Sequence, residues 1–279
     1  MDLNFPEQWV AKAYPNTNIF RVGDNDTYFT RAGKRLLNVS VGPIARYYPE
    51  EFKDIHLAVA GGSFRSLFFN ETPTDLDVFL LTDMETGTRF LRKLRQNLMN
   101  QFPDAPFQQV AEVTITINKN YTPSEEAITK KFVRFNIPVI EGLTPVPIQM
   151  IHFCHVVEGD EVFPTSAREL INLFDVVPAC FAAETTAFPL SFHGVSTHAM
   201  LLDSLLSKTL IPNMVRGRYI EPVMTLDRFY KYTKTYGFSV SKSDMPHFTK
   251  LMSIPNNMNI SYDVDDTEGD PCSEAEVGF

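Results

Sequence analysis

The tightest constraint on this chain is one stretch, Ile55 to Leu81. It opens with an apolar run, Ile55-His56-Leu57-Ala58-Val59-Ala60, that stops at Gly61-Gly62. A run this short, closed by glycine, fits a buried strand. Ser63 to Phe69 then reads as a helical start, with Ser63 as its expected N-cap. The turn residues Glu71-Thr72-Pro73-Thr74 lead into Asp75-Leu76-Asp77-Val78-Phe79-Leu80-Leu81, a second strand rich in β-formers after its acids.

Successive strand side chains point to opposite faces. Asp75 and Asp77 therefore share one face, while Leu76 and Val78 take the other. Two adjacent carboxylates repel, and a cation between them relieves the repulsion. Mg²⁺ (or Mn²⁺) suits the place, because it takes a few carboxylates and completes its shell with water and substrate phosphates. The Gly61-Gly62 pair lets backbone N–H groups approach a phosphate, and the helix that follows adds its dipole. Ser63 can donate a further hydrogen bond, and Arg65 is the expected phosphate partner. Metal and triphosphate would meet here, which is the apparatus of in-line phosphoryl chemistry. Gly-Gly turns and Asp-x-Asp pairs each occur by chance; it is their joint strand–turn–helix–strand setting that favours chemistry.

Beyond this motif the chain reads as α+β. Helices are expected around 43–52 and over 85–101, where Phe90, Leu91, Leu94 and Leu98 share one face. Strands are expected over 110–117, 131–137 and 146–153. After about 160 helices dominate. Ser166-Ala167-Arg168-Glu169 is a capping box, and 195–210 and 222–236 carry helical spacing. The expected division is a strand-rich region over 1–155, onto which the helix at 165–177 can also pack, and a mainly helical region over 156–260. An acidic, disordered tail is expected over 261–279. That tail holds seven of the 34 acids and no base, so most of the net charge of −9 belongs to it. Coating of nucleic acid by charge alone is excluded. The three cysteines, Cys154, Cys180 and Cys272, have no metal-site or disulfide spacing. No run is long enough to cross a bilayer, and Met1 to Pro6 lacks signal-peptide character, so a soluble intracellular protein is expected.

Gly61-Gly62-Ser63 followed by Asp75-Leu76-Asp77 resembles the signature of the DNA polymerase beta-like nucleotidyltransferase superfamily. More closely, the chain is similar to viral and bacteriophage nucleotidyltransferase-like proteins. The matching pieces are Pro73-Thr74-Asp75-Leu76-Asp77, Gln149-Met150-Ile151, Phe174-Asp175 and Arg228-Phe229-Tyr230-Lys231-Tyr232. The resemblance implies a mixed sheet flanked by helices with a C-terminal helical region. It also implies transfer of a nucleoside monophosphate from a nucleoside triphosphate to a hydroxyl, with release of pyrophosphate. A phage-encoded chain would act in the cytoplasm of its bacterial host.

The superfamily carries a third carboxylate on a later strand, where this chain has Gln149. Glutamine can offer a carbonyl to a metal but cannot accept a proton. Glu112 and Asp175 are the candidate substitutes, although a helix or turn hydrogen bond is the commoner role for an acid placed like Asp175. The expected catalytic set is thus Asp75, Asp77 and Asp175, with Asp75 and Asp77 on the metal. Gly61, Gly62, Ser63, Arg65 and Lys231 are expected on the nucleotide. The basic-aromatic segment from Arg216 through Arg218, Arg228, Lys231 and Lys234 favours an RNA end, tRNA-like, as acceptor. A protein hydroxyl is the alternative acceptor. A protein that binds nucleotide and modulates a partner without transfer is the alternative from another class. The sequence leaves oligomeric state open.

Overall fold

Leu57, Val59, Leu76, Val78 and Leu80 all lie within one apolar core, as the alternation of the two motif strands dictates. The computed structural model describes residues 28–117, 128–157, 160–186, 191–213, 222–252 and 259–264. The turn at 23–26, the basic residues Arg216 and Arg218, and the tail after 264 lie outside the described residues.

Strand β1 is His56–Ala60 and β2 is Leu76–Leu80. They pair antiparallel, with Ala60 opposite Asp77. Ahead of β1 come α1 (Tyr28–Val39), α2 (Val41–Tyr47) and α3 (Pro49–Phe52). The helix expected around 43–52 is therefore two helices. Proline at 49 lacks an N–H and forces Tyr48 out of helical geometry, to φ −128° and ψ 59°. Between the motif strands lies α4 (Ser63–Phe68), and after them α5 (Met84–Gln101). Asp83 caps α5 by accepting the Thr86 N–H at 2.8 Å, and Phe90, Leu91, Leu94 and Leu98 are buried as their spacing predicts.

Next are β3 (Ala111–Ile117), β4 (Ile128–Ile137), β5 (Ile148–Val157) and β6 (Asp160–Val162). Helix α6 (Ala167–Asn172) begins at Ser166, whose hydroxyl accepts the Glu169 N–H at 3.3 Å. The mainly helical region expected after 155 differs from what forms. It contributes β6, β7 (Phe181–Thr186), β8 (Ser191–Thr197) and β9 (Asn259–Val264) to the sheet. Val195 and Thr197, expected to open a helix, sit in β8 against β7, because β-branched residues pack well on a pleated surface. That helix shrinks to α7 (Leu201–Leu206). Strand β9 takes in 261–264, expected to belong to the disordered tail, by pairing with β3. Helix α8 (Pro222–Tyr230) runs into a π turn over Lys231–Thr235, and α9 (Met245–Met252) follows.

The described strands form one mixed sheet in the order β8-β7-β1-β2-β5-β4-β3-β9, with β6 beside β5. Strands β2 and β5 run parallel, and the other described pairs are antiparallel. One face carries the main core, where α1, α4 and α5 bury their apolar sides. The opposite face buries Ala58, Ala60, Phe79, Leu81 and Phe153 under Leu170 and Ile171 of α6. That second face is also the face of Asp75 and Asp77. No helix among the described residues is long and apolar enough to cross a membrane. Cys154 and Cys180 are buried, and the Cys180 thiol donates to the Val176 carbonyl at 3.3 Å.

His152 sits in the main core, its Nε2 2.8 Å from the Asp83 carbonyl, with its ring filling the space left by Gly87. Burial holds its pKa below the ordinary value of 6.5. The unfolded chain therefore takes up a proton there before the folded one does, and stability is lost as pH falls below about 6.5. Unfolding midpoints in denaturant should fall between pH 7 and pH 5, and His152→Gln should flatten part of that slope. Gly87→Ala drives a methyl into the His152 ring and should lower stability by about 1–3 kcal/mol in the same assay.

Candidate functional site

The bend after β1 is closed by backbone geometry that glycine alone adopts easily. Gly61 has φ +82°, and a Cβ placed on it would lie 2.8 Å from Asp77 Oδ2. The Asp77 carboxylate is therefore laid directly against the glycine bend. Gly62 precedes α4 and would meet no protein atom within 4 Å if it carried a Cβ, so its outer side is open. Ser63 is not the N-cap expected of it. Gly62 holds that position, and the buried Ser63 hydroxyl donates back to the Ala60 carbonyl at 3.3 Å, tying strand to helix.

Asp75 lies on the same face. It accepts from Thr74 Oγ1 at 3.2 Å and from Gln149 Nε2 at 3.2 Å. Gln149 is the direct neighbour of Asp77 across the parallel β2–β5 pair, and Asn136 is the next residue across, on β4. Glu112 cannot join this row. It stands opposite Val133, so it projects from the other face, where it pairs with Arg92 at 2.7 Å.

Burial, then the charge of Asp75, pushes Asp77 up to about 7, while Arg228, Lys231 and Arg134 oppose that rise. The charges of these three cations thus act on the Asp77 carboxylate. Lys231 is exposed, and Arg228 is fixed by the buried Asp175, whose Oδ2 lies 2.8 Å from Arg228 Nη1. Asp175, expected as a third acid, is placed as the anchor of a cation that looks onto Asp77. Arg65, expected on a phosphate, is buried. Its guanidinium pairs with Glu71 at 2.6 Å, donates to Ser66 Oγ at 3.0 Å and lies 3.4 Å from the centroid of the Tyr236 ring. It thereby clamps α4 to the end of the π turn that carries Lys231.

Arg134 is the member that motif reading misses. It lies two residues before Asn136 on β4, hence on the carboxylate face, and its side chain forms no hydrogen bond or ion pair with any described residue. Only the pairing of β4 with β5 brings it to the site, and no local signal announces that register.

The donors at this place are hard oxygens, two carboxylates beside an amide carbonyl, a set suited to Mg²⁺ or Mn²⁺. Among the described residues no group of three or more His, Cys, Asp or Glu side chains forms a metal cage. A divalent ion here would keep coordination sites for water and phosphate oxygens.

No family model matches the chain, and no curated protein is significantly similar to it. Solved structures are similar at low identity. A tRNA nucleotidyltransferase complexed with a primer tRNA and an ATP analogue matches at 13% identity and TM-score 0.40, over 76% of this chain and 49% of that one. A Thermotoga maritima CCA-adding enzyme complexed with tRNA matches at 10% identity and TM-score 0.43, over 79% and 44%. A CCA-adding enzyme with CTP matches at 10% identity and TM-score 0.42, over 78% and 44%. The chain thus spans about half the length of the structures it matches.

The two glycines should respond differently to a methyl group. Gly61→Ala puts a Cβ in a left-handed residue and against Asp77. It should cost about 1–2 kcal/mol and displace the carboxylate. Gly62→Ala should leave the melting temperature within experimental error, because its methyl points into open space. Thermal unfolding with and without a divalent ion and nucleotide checks both. If Gly62→Ala nonetheless weakens nucleotide binding, a ligand approaches the backbone there.

Proposed function

We propose that this chain is a metal-dependent nucleotidyltransferase of the polymerase beta-like class, moving a nucleoside monophosphate from a nucleoside triphosphate to the hydroxyl of an RNA end. Viral and phage nucleotidyltransferase-like proteins are its expected relatives, and the cytoplasm its expected compartment. One observation carries the reading. The Asp77 carboxylate lies against the Gly61 bend beside the open Gly62, with Asp75 on its own face and Gln149 next to both.

Asp75 and Asp77 would hold the divalent ion. When bound, that ion supplies charge neutralisation for the triphosphate and for the departing pyrophosphate. The open side of Gly62 accommodates the β- and γ-phosphates, with Lys231 as their side-chain cation. The acceptor oxygen bonds to the α-phosphorus as the bond to the bridging oxygen breaks, and the hydroxyl proton passes to water. Asp175 and Arg65 act as positioning residues. Asp175 holds Arg228, and Arg65 holds the π turn, so that the cations of the C-terminal helix stay over the carboxylates.

Gln149 favours a second reading. It stands beside Asp77 and donates to Asp75, in a row with no third carboxylate among the described residues. Such a site binds a nucleotide with one divalent ion and transfers slowly or not at all.

Purified chain with α-labelled nucleoside triphosphates, Mg²⁺ or Mn²⁺ and cell extract separates these outcomes. Label should appear in RNA, and Asp77→Asn should reduce it by at least about 100-fold. Label in protein instead makes a protein hydroxyl the acceptor. Nucleotide binding without label supports the second reading, and persistence of label in Asp77→Asn removes the carboxylates from the chemistry.

Gln149→Glu discriminates further. Three carboxylates without a cation repel one another. This variant should melt lower than the parent in chelator, gain more stability on adding Mg²⁺, and transfer faster.

A further inference from the structure

Two groups suited to phosphate stand on opposite sides of the carboxylates. The Gly61 bend lies one strand away from Asp77 on the β1 side. Arg134 lies two strands away on the other side, beyond Gln149. In register it is level with Phe79, two residues along the strand from Asp77. With strands about 5 Å apart and a rise of about 3.3 Å per residue, its backbone is roughly 12 Å from that of Asp77, a span its long side chain can partly cover. The electrostatic influence of Arg134 on Asp77 agrees with that reach.

Arg134 is also uncommitted. It is partly exposed, and its side chain forms no hydrogen bond or ion pair with any described residue. The other two cations differ from it. Arg228 is held by Asp175, and Lys231 extends from the π turn, whose Tyr236 packs against Arg65 of the glycine-bend helix. A planar guanidinium with no side-chain partner among the described residues matches a phosphodiester in shape and charge.

We infer that Arg134 marks an acceptor subsite and binds a phosphodiester near the 3′ end of an RNA strand. The inference rests on the nucleotidyl-transfer reading and adds the direction of approach. In-line displacement puts the attacking hydroxyl and the departing pyrophosphate on opposite sides of the α-phosphorus. If pyrophosphate leaves over the glycine bend, the hydroxyl arrives over β5 and β4. The row it crosses there holds Gln149 and Asn136, which carry no charge to repel an incoming strand. An RNA 3′ end always carries a phosphodiester next to its hydroxyl, whereas a peptide hydroxyl carries none, so the Arg134 guanidinium favours RNA over protein.

The full chain, with a short 3′-hydroxyl RNA oligonucleotide read by fluorescence anisotropy, tests this in Mg²⁺ and a non-hydrolysable triphosphate analogue. Arg134→Ala should weaken RNA binding about tenfold. It should also reduce the slope of log affinity against log salt by about 0.7, the loss of one single-strand phosphate contact. Analogue affinity should change less than about twofold, and the melting temperature should stay near that of the parent because Arg134 holds no other element. Arg134→Lys should recover the slope and part of the affinity, since it keeps the charge but loses the fork.

Unchanged RNA affinity and slope in Arg134→Ala would overturn the subsite. An equal loss of analogue affinity would move Arg134 to the triphosphate side and also overturn it. Parent chain that binds the analogue but no RNA would refute RNA as the acceptor. Parent chain that binds RNA through Arg134 but no analogue would refute the nucleotidyl-transfer reading while leaving the RNA contact standing.

Discussion

The site depends on one close approach, the Asp77 carboxylate against the backbone of Gly61. Any side chain at that bend would separate the carboxylate from the turn. The closeness has an electrostatic cost, because Asp77 is partly desolvated beside a second carboxylate and its pKa is pushed up to about 7. Structural economy alone does not account for this. Leu76 and Val78 anchor the strand in the main core whatever occupies the other face. Two acids kept there, with cations supplied from two other parts of the chain, form an arrangement in which a cation and a polyanion relieve each other.

Those cations arrive from far along the sequence. Asp175 holds Arg228, and Arg65 grips Tyr236 at the end of the π turn that carries Lys231. One link starts from the segment after α6 and the other from α4, and both end on the C-terminal helical region. Buried ion pairs contribute little net stability after desolvation. What they do here is fix where the cations stand. The π turn fits that role, since the extra residue it inserts shifts the helix face at the point where Lys231 leaves it. Helix α6 adds to the same effect by covering the apolar part of the carboxylate face, so that the polar strip is left at one end.

What could be read from sequence follows the range of the interactions involved. The two motif strands, the glycine bend and the shared face of Asp75 and Asp77 depend on residues a few positions apart, and these were legible. So was the apolar side of α5, set by helical spacing. Where long-range pairing decides, local reading fails. Residues 195–197 have leucine-rich helical sequence just ahead of them but pair with β7. Arg65 looks like a free phosphate ligand until Glu71 and Tyr236 surround it. Glu112 lies one strand beyond Arg134, and its register opposite Val133 sends it to the other face of the sheet. Arg134 reaches the site for the same reason that Glu112 misses it.

The distribution of charge across the sheet gives the site a direction. On the β1 side stands a bend of backbone dipoles, open at Gly62, with Lys231 tied to it through the π turn. On the β4 side stands Arg134, whose side chain has no partner among the described residues. Between them run Asp77, Gln149 and Asn136 in register, one acid followed by two neutral amides. A third acid at Gln149 would strengthen a second metal position but would also repel an incoming phosphodiester strand. The neutral amide does the reverse, easing the approach of a polyanion while weakening metal binding. Gln149 is therefore the residue at which holding a strand and activating its hydroxyl pull in opposite directions. On the proposed reading, the neutral amide favours holding the strand over activating its hydroxyl.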